Sequence, residues 1–140
     1  MYTTLLQKEM KIMRGKTLEQ LVAEAQAQIG HTSAEALKTA IDNNEPVVIL
    51  DVRDTELYEE EHLPGAVSLP RAAIELEIDE LVPNQDAHIV AHCGGSTRGS
   101  LSAHTLQIMG YKNASVLTGG FRGWKAAGLP TEKGAETDQD

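Results

Sequence analysis

Four short apolar runs, each followed by a stretch of helical character, constrain this chain most. Pro46 opens the run Val47-Val48-Ile49-Leu50, and Ala66-Val67-Ser68-Leu69, Ala87-His88-Ile89-Val90-Ala91 and Ser115-Val116-Leu117 follow. Runs of this length, rich in β-branched residues, read as buried strands of the kind found in parallel sheets. Helices are expected from Ser33 to Ile41, Thr55 to Glu61, Ala72 to Leu81, Ser100 to Met109 and Phe121 to Ala127. Thr32-x-x-Glu35 predicts a capping box for the first of these, and Asp54 or Thr55 a cap for the second. Pro83-Asn84, Gly110, and Gly128 with Pro130 supply the stops. Strands alternating with helices at short spacing imply an α/β domain with a mainly parallel sheet. Ligands of such sheets sit outside the carboxyl ends of the strands. Asp51 and Arg53, Cys93, and Thr118 with Gly119 each follow a strand directly, so they are expected to meet at one edge.

The rest of the chain divides around that domain. Residues 1–15 mix Thr, Lys, Met and Gly without period and read as a poorly ordered extension. Over 16–30, Leu18, Leu21, Val22, Ala25 and Ile29 share one face of an amphipathic helix, which is expected to pack on its own domain, with a homodimer contact as the alternative. The domain proper is placed at 31–131, and 132–140 read as a flexible acidic tail. With 140 residues, 41% of them hydrophobic, the chain can bury the core of one domain.

Charge and cysteine count narrow the chemistry. A net charge of −9 without a basic stripe argues against nucleic acid. It also means that an anionic substrate needs local positive groups to offset the overall field. A single cysteine excludes an internal disulfide, a Cys-x-x-Cys pair and a cysteine-rich zinc site. It suits a reducing compartment, and a cytoplasmic location is expected. No apolar run approaches the ~20 residues needed to span a bilayer, and Leu5-Leu6 followed by charges does not read as a signal peptide.

That cysteine stands in His92-Cys93-Gly94-Gly95-Ser96-Thr97-Arg98-Gly99, between a strand end and a helix. A thiol there, a loop of small residues and an arginine five positions on form an anion cradle around a nucleophile. Loop N–H groups and the helix N-terminus stabilise negative charge, and so favour the reactive thiolate. Gly94, Gly95, Ser96, Thr97 and Arg98 are therefore candidate substrate-binding residues, with Arg71 as a further candidate on the rim. Arg98 can bind an oxyanion with its planar fork or lie across the loop and shape it. Asp51 and Arg53 read as a pair tying loops together, and Gly119 as a turn close to the site. His92 adjoins Cys93 on a strand, so its side chain should face away from the thiol and serve as scaffold rather than base. His88 and His92 lack a third ligand, so no metal is expected.

From about Thr32 to Pro130 the chain strings together Ile49-Leu50-Asp51-Val52-Arg53, Tyr58 with His62-Leu63-Pro64-Gly65-Ala66, Leu69-Pro70-Arg71, Cys93 to Arg98, Leu117-Thr118-Gly119-Gly120, Trp124 and Gly128-Leu129-Pro130. Together, in this order, these fragments resemble the single-domain rhodanese-like sulfurtransferases. The resemblance implies a five-stranded parallel sheet flanked by helices, and a Cys93 that carries sulfane sulfur as a persulfide from a donor such as thiosulfate to a thiol or cyanide. No cofactor beyond that covalent intermediate is implied. Two residues depart from the family's pattern. Glu61 stands where Gly often precedes the His of the turn, and Ser96 where the active loop commonly has Gly. A Ser at a position that needs positive φ would be strained.

Three other readings compete. Phosphatases and arsenate reductases resemble this loop but have Cys-x5-Arg, one residue longer than the spacing of Cys93 and Arg98. The shorter loop makes a tighter cradle, suited to one sulfur rather than a tetrahedral phosphoryl group. The others are a persulfide carrier serving a protein acceptor, and a noncatalytic interaction module.

Overall fold

The structure, a computed structural model, describes residues 4–8 and 15–134. After a helical turn at residues 5–8, the elements are α1 (Leu18–Gln28), β1 (Gly30–Thr32), α2 (Ala34–Asp42), β2 (Val47–Asp51), α3 (Thr55–Glu60), β3 (Val67–Ser68), a 3-10 turn (Arg71–Ala73), α4 (Ile74–Leu81), β4 (His88–His92), α5 (Thr97–Ile108), β5 (Ala114–Leu117) and α6 (Gly120–Ala126). The strands form one parallel sheet in the order β1-β5-β4-β2-β3. Each parallel link requires a crossover, and the helices supply them.

Side chains alternate across the sheet and build a core on each face. Ile49, Val90 and Leu117 pack with Leu37 of α2, Tyr58 of α3 and Trp124 of α6. Leu50, Ala91 and Val116, their chain neighbours, face Ile74 and Ile78 of α4 and Ala103 and Leu106 of α5. Trp124 is fully buried, and its indole N–H donates to the Pro130 carbonyl at 2.8 Å. The α/β architecture and the five-stranded parallel sheet are therefore those expected.

The local differences have physical reasons. The fifth strand, β1, carries no apolar run, only Gly30-His31-Thr32, and owes its pairing to the backbone of β5. Thr32 belongs to that strand, and its hydroxyl meets Ser115 Oγ at 2.7 Å. The capping box expected at Thr32 is therefore absent, and Ser33 caps α2 by accepting from the Ala36 N–H. Asp54 stands at the N-cap of α3 but makes no side-chain cap bond. Helix α5 begins three residues before the expected Ser100, because the loop after Cys93 winds directly into it.

At the ends, residues 1–3, 9–14 and 135–140 lie outside the described residues, and most of the expected extension and tail falls there. Glu132 pairs with His62 through reciprocal N–H to O bonds of 2.8 Å, and the Gly134 N–H donates to Glu59. Helix α1 carries a capping box between Thr17 and Gln20 and packs against α5. Ala25 and Ile29 are its buried contacts, whereas Leu18 and Leu21, expected on the same face, are 58% and 44% exposed.

Candidate active site

Strands β2 and β4 run in register, so that Asp51 stands beside His92 at their carboxyl ends. Cys93 follows at once, and four residues later, at Thr97, the chain enters α5. Its thiol is 3% exposed and accepts the N–H of Gly99 at 3.2 Å. Gly99 is the third residue of α5, so this donor belongs to the helix N-terminus, where free N–H groups and the helix dipole favour negative charge. A Cβ on Gly99 would lie 3.1 Å from Val116 Cγ2 and 3.4 Å from the Cys93 nitrogen. Only a small residue brings the helix start this close to the strand end.

The loop carbonyls face the other way, onto α6. The Phe121 N–H donates to the Cys93 carbonyl at 2.9 Å and the Arg122 N–H to Gly94 at 3.1 Å. Gly120, at φ +59°, makes the approach feasible. A Cβ there would sit 2.7 Å from the Cys93 oxygen, 2.9 Å from that of Gly94, and in collision with that of Gly95. Thus α6 holds the negative ends of the loop peptides away from the sulfur.

A cavity of about 200 Å³ opens over the thiol, lined by Cys93, Gly94, Gly95, Ser96, Thr97, Arg98 and Arg122. Every loop residue expected at the site is brought together there. Arg71 does not line this cavity; its guanidinium lies on Glu75 at 3.2 Å and Thr105 at 3.1 Å. Arg122 is the lining residue that sequence reasoning missed. Its guanidinium lies over the loop, 2.8 Å from a Cβ built on Gly94 and 2.6 Å from one on Gly95. The loop glycines thus leave room for an arginine. Neither takes positive φ, and Ser96 sits at φ −131°, so the strain expected from Ser96 does not arise. Arg98 stands 46% exposed at the mouth, 3.8 Å from Asp54.

Beneath the loop lies a buried polar cluster. Arg53 pairs with Asp51 through Nε at 3.0 Å and Nη2 at 2.8 Å, donates to the Glu61 carbonyl at 2.7 Å, and stacks 4.0 Å from the Phe121 ring centre. This pair joins β2, the end of α3 and the start of α6. His92 is fully buried on this side, with Nδ1 3.3 Å from the Cys93 oxygen and Nε2 3.8 Å from Asp51. Burial pushes its pKa below the usual histidine value, against the opposing pull of the Asp51 carboxylate. Gly119, at φ +82°, caps α6 in a left-handed conformation that favours glycine. Glu61 makes no demand for glycine in extended backbone: its carboxylate bonds Lys125 and Thr131, which hold it below the usual carboxylate range. The Tyr58 hydroxyl donates to the Ala66 carbonyl at 2.7 Å, and its ring stacks on His62. Among the described residues, no His, Cys, Asp or Glu cluster could hold a metal ion, and no helix is long and apolar enough to cross a membrane.

Comparison with known proteins places this geometry in context. The sequence profile of the rhodanese-like domain matches residues 33–127. "Putative sulfur carrier protein YrkF" of Bacillus subtilis (strain 168) is 35% identical over 102 residues, which are 73% of this chain and 54% of that protein. The chain therefore spans about half the length of that relative. "Thiosulfate sulfurtransferase GlpE" of Coxiella burnetii (strain RSA 493 / Nine Mile phase I) is 35% identical over 99 residues, 71% of this chain and 87% of that protein. Among solved structures, a Rhodopseudomonas palustris protein of unknown function, described as a "Possible Tyrosine Phosphatase", superposes with a TM-score of 0.77 at 29% identity, covering 94% of this chain and 99% of that one.

Proposed function

From the premise that the chain belongs to the rhodanese-like family, we propose that it is a sulfurtransferase that carries sulfane sulfur on Cys93. The observation behind this reading is the thiol itself, held against the Gly99 N–H at the start of α5 with Arg98 and Arg122 lining the cavity above it. Sulfur transfer needs a group that is both nucleophile and leaving group, and a thiolate is both. The Cys93 thiolate attacks the outer sulfur of thiosulfate. A Cys–S bond to that sulfur forms, the bond from it to the sulfonate sulfur breaks, and sulfite leaves with the bonding pair. Charge balances at −3 on each side. The persulfide anion then yields its outer sulfur to cyanide or a thiolate, which restores the Cys93 thiolate. No net oxidant is required, and no second cysteine. The Gly99 N–H faces the sulfur on which charge changes, and the two guanidinium groups face the sulfonate.

The name of the Bacillus relative supports a second reading, in which the persulfide passes chiefly to a protein acceptor. The phosphatase reading draws on the phosphatase description of the Rhodopseudomonas protein, but the four-residue spacing between Cys93 and Arg98, one short of Cys-x5-Arg, favours sulfur transfer. Intact-protein mass spectrometry tests the proposal. Exposure to thiosulfate or polysulfide is expected to add one sulfur atom, removable by cyanide, and Cys93→Ser to take up none. Hydrolysis of a phosphate ester that depends on Cys93 would favour the phosphatase instead.

A further inference from the structure

A second cavity, of about 320 Å³, adjoins the first across the loop tip, and nothing above assigns it. Gly95 and Ser96 line both. Beyond that shared rim the second cavity is walled by Gln26 of α1, His31 of β1 and Thr118 and Gly119 after β5, against the end of strand β5 at Val116 and Leu117. Its character is opposite to that of the first. Two arginines face the sulfur cavity. No Asp, Glu, Lys or Arg lines the second, which offers an amide, an imidazole and hydroxyls instead.

Gln26 and His31 both precede the stretch 33–127 that the family profile describes. Their wall is nevertheless held in place. Ala25 and Ile29 bury the adjacent face of α1, Gln26 Nε2 donates to Ser100 Oγ at 3.2 Å, and His31 Nε2 lies 2.8 Å from the Gln26 carbonyl. The rim hydroxyl of Ser96 stands exposed and makes no cap bond to α5. A site fixed in advance does not lose ordering entropy when it is filled.

We infer that this second cavity seats the body of the sulfur acceptor, and that the acceptor is a small uncharged thiol bearing amide groups. The inference rests on the sulfurtransferase reading for its chemistry. The volume lies at the lower end of small-molecule sites and suits a body of peptide-fragment size. Amide groups match the neutral donors and acceptors of the wall. An anionic body finds no countercharge there. With its body in this cavity, the acceptor's thiolate reaches over the Gly95–Ser96 rim to the outer sulfur of the Cys93 persulfide. A new S–S bond forms at the acceptor, the Cys93 S–S bond breaks, and the pair returns to Cys93. Two negative charges stand on each side, with no net oxidation. Donor and acceptor thus use opposite sides of one loop.

Half-reactions separate the two sides. Protein loaded from thiosulfate and freed of donor is mixed with cyanide, N-acetylcysteinamide or N-acetylcysteine. At equal thiolate concentration, N-acetylcysteinamide is expected to discharge the persulfide faster than N-acetylcysteine. Gln26→Ala and His31→Ala should each slow the amide thiol roughly five- to tenfold, the effect of one or two lost hydrogen bonds, and leave loading and cyanide discharge unchanged. Equal slowing of all acceptors, or no slowing of the amide thiol, overturns the inference. The S-methyl derivative of N-acetylcysteinamide, titrated into unmodified protein and followed by NMR, needs no variant. Shifts at residues 26, 31 and 118 support the site, while shifts confined to 93–98, or none, refute it. A chain that binds this analogue there but takes up no sulfur on Cys93 would overturn the sulfurtransferase reading and keep the cavity.

Discussion

At the scale of single residues, the site is decided by side chains that make or leave space. Gly120 lies beneath the carbonyls of Cys93, Gly94 and Gly95, where a methyl group has no room. Gly120→Ala also meets the backbone penalty of a left-handed φ, so a loss of more than ~2 kcal/mol is expected in denaturant unfolding, together with slower sulfur loading. Normal stability and loading in this variant would show that the loop does not depend on its contact with α6. The two arginines divide differently. Arg98 has Asp54 for a neighbour at 3.8 Å, whereas the Arg122 guanidinium lies over the loop backbone. Either change to Ala should reduce the rate of loading from dianionic thiosulfate by roughly tenfold or more, the range of a charge-assisted hydrogen bond. Loading from an alkyl persulfide, whose outer sulfur passes to Cys93 as an alkyl thiolate leaves and which presents no sulfonate, should change far less. Equal losses with both donors would assign these arginines to loop shape instead.

At the scale of elements, register brings His92 of β4 and Asp51 of β2 side by side. The fully buried imidazole has a pKa below its ordinary value, chiefly through burial. The unfolded chain therefore takes up a proton more readily than the folded one. His92 stabilises the fold fully above the ordinary histidine value of about 6.5, and that contribution is lost as pH falls below it. The denaturant midpoint is expected to fall between pH 7 and pH 5, before the carboxylates titrate near 4, and His92→Gln should flatten that slope. An unchanged slope in the variant would move the effect to another group. Elements also show what could be read in advance. The three central strands announced themselves as apolar runs because burial on both faces demands it, and the edge strand β3 through the buried Ala66 and Leu69 that flank it. Gly30-His31-Thr32 carries no such mark, since an edge strand is recruited by the backbone of its neighbour. Cys93 to Arg98 were legible because loop and helix start are contiguous in sequence. Arg122 was not, since its place depends on how α6 packs under a loop more than twenty residues earlier. Arg71 follows a strand as sequence logic required, yet its guanidinium is taken up by Glu75 and Thr105.

At the scale of the whole molecule, a net charge of −9 opposes a dianionic donor, while two guanidinium groups at the cavity attract it. These effects differ in range. Raising ionic strength from 0.01 M to 0.1 M shortens the screening length from about 30 Å to about 10 Å. That change weakens the distant repulsion more than the contact attraction. The second-order rate of thiosulfate loading is therefore expected to rise by about twofold over this interval. A fall would show that the local positive field governs approach as well as binding.

The clamp beneath the Cys93 loop leaves the ribosome late in the synthesis of the domain. Cys93 emerges well before Gly120, Phe121 and Arg122, whose backbone holds the carbonyls of its loop. Strand β1, near the start of the chain, must likewise wait for β5. A nascent chain halted between these points has the sulfur atom but not the scaffold that disciplines it. Until α6 emerges, the carbonyls of that loop lack the N–H partners that hold them.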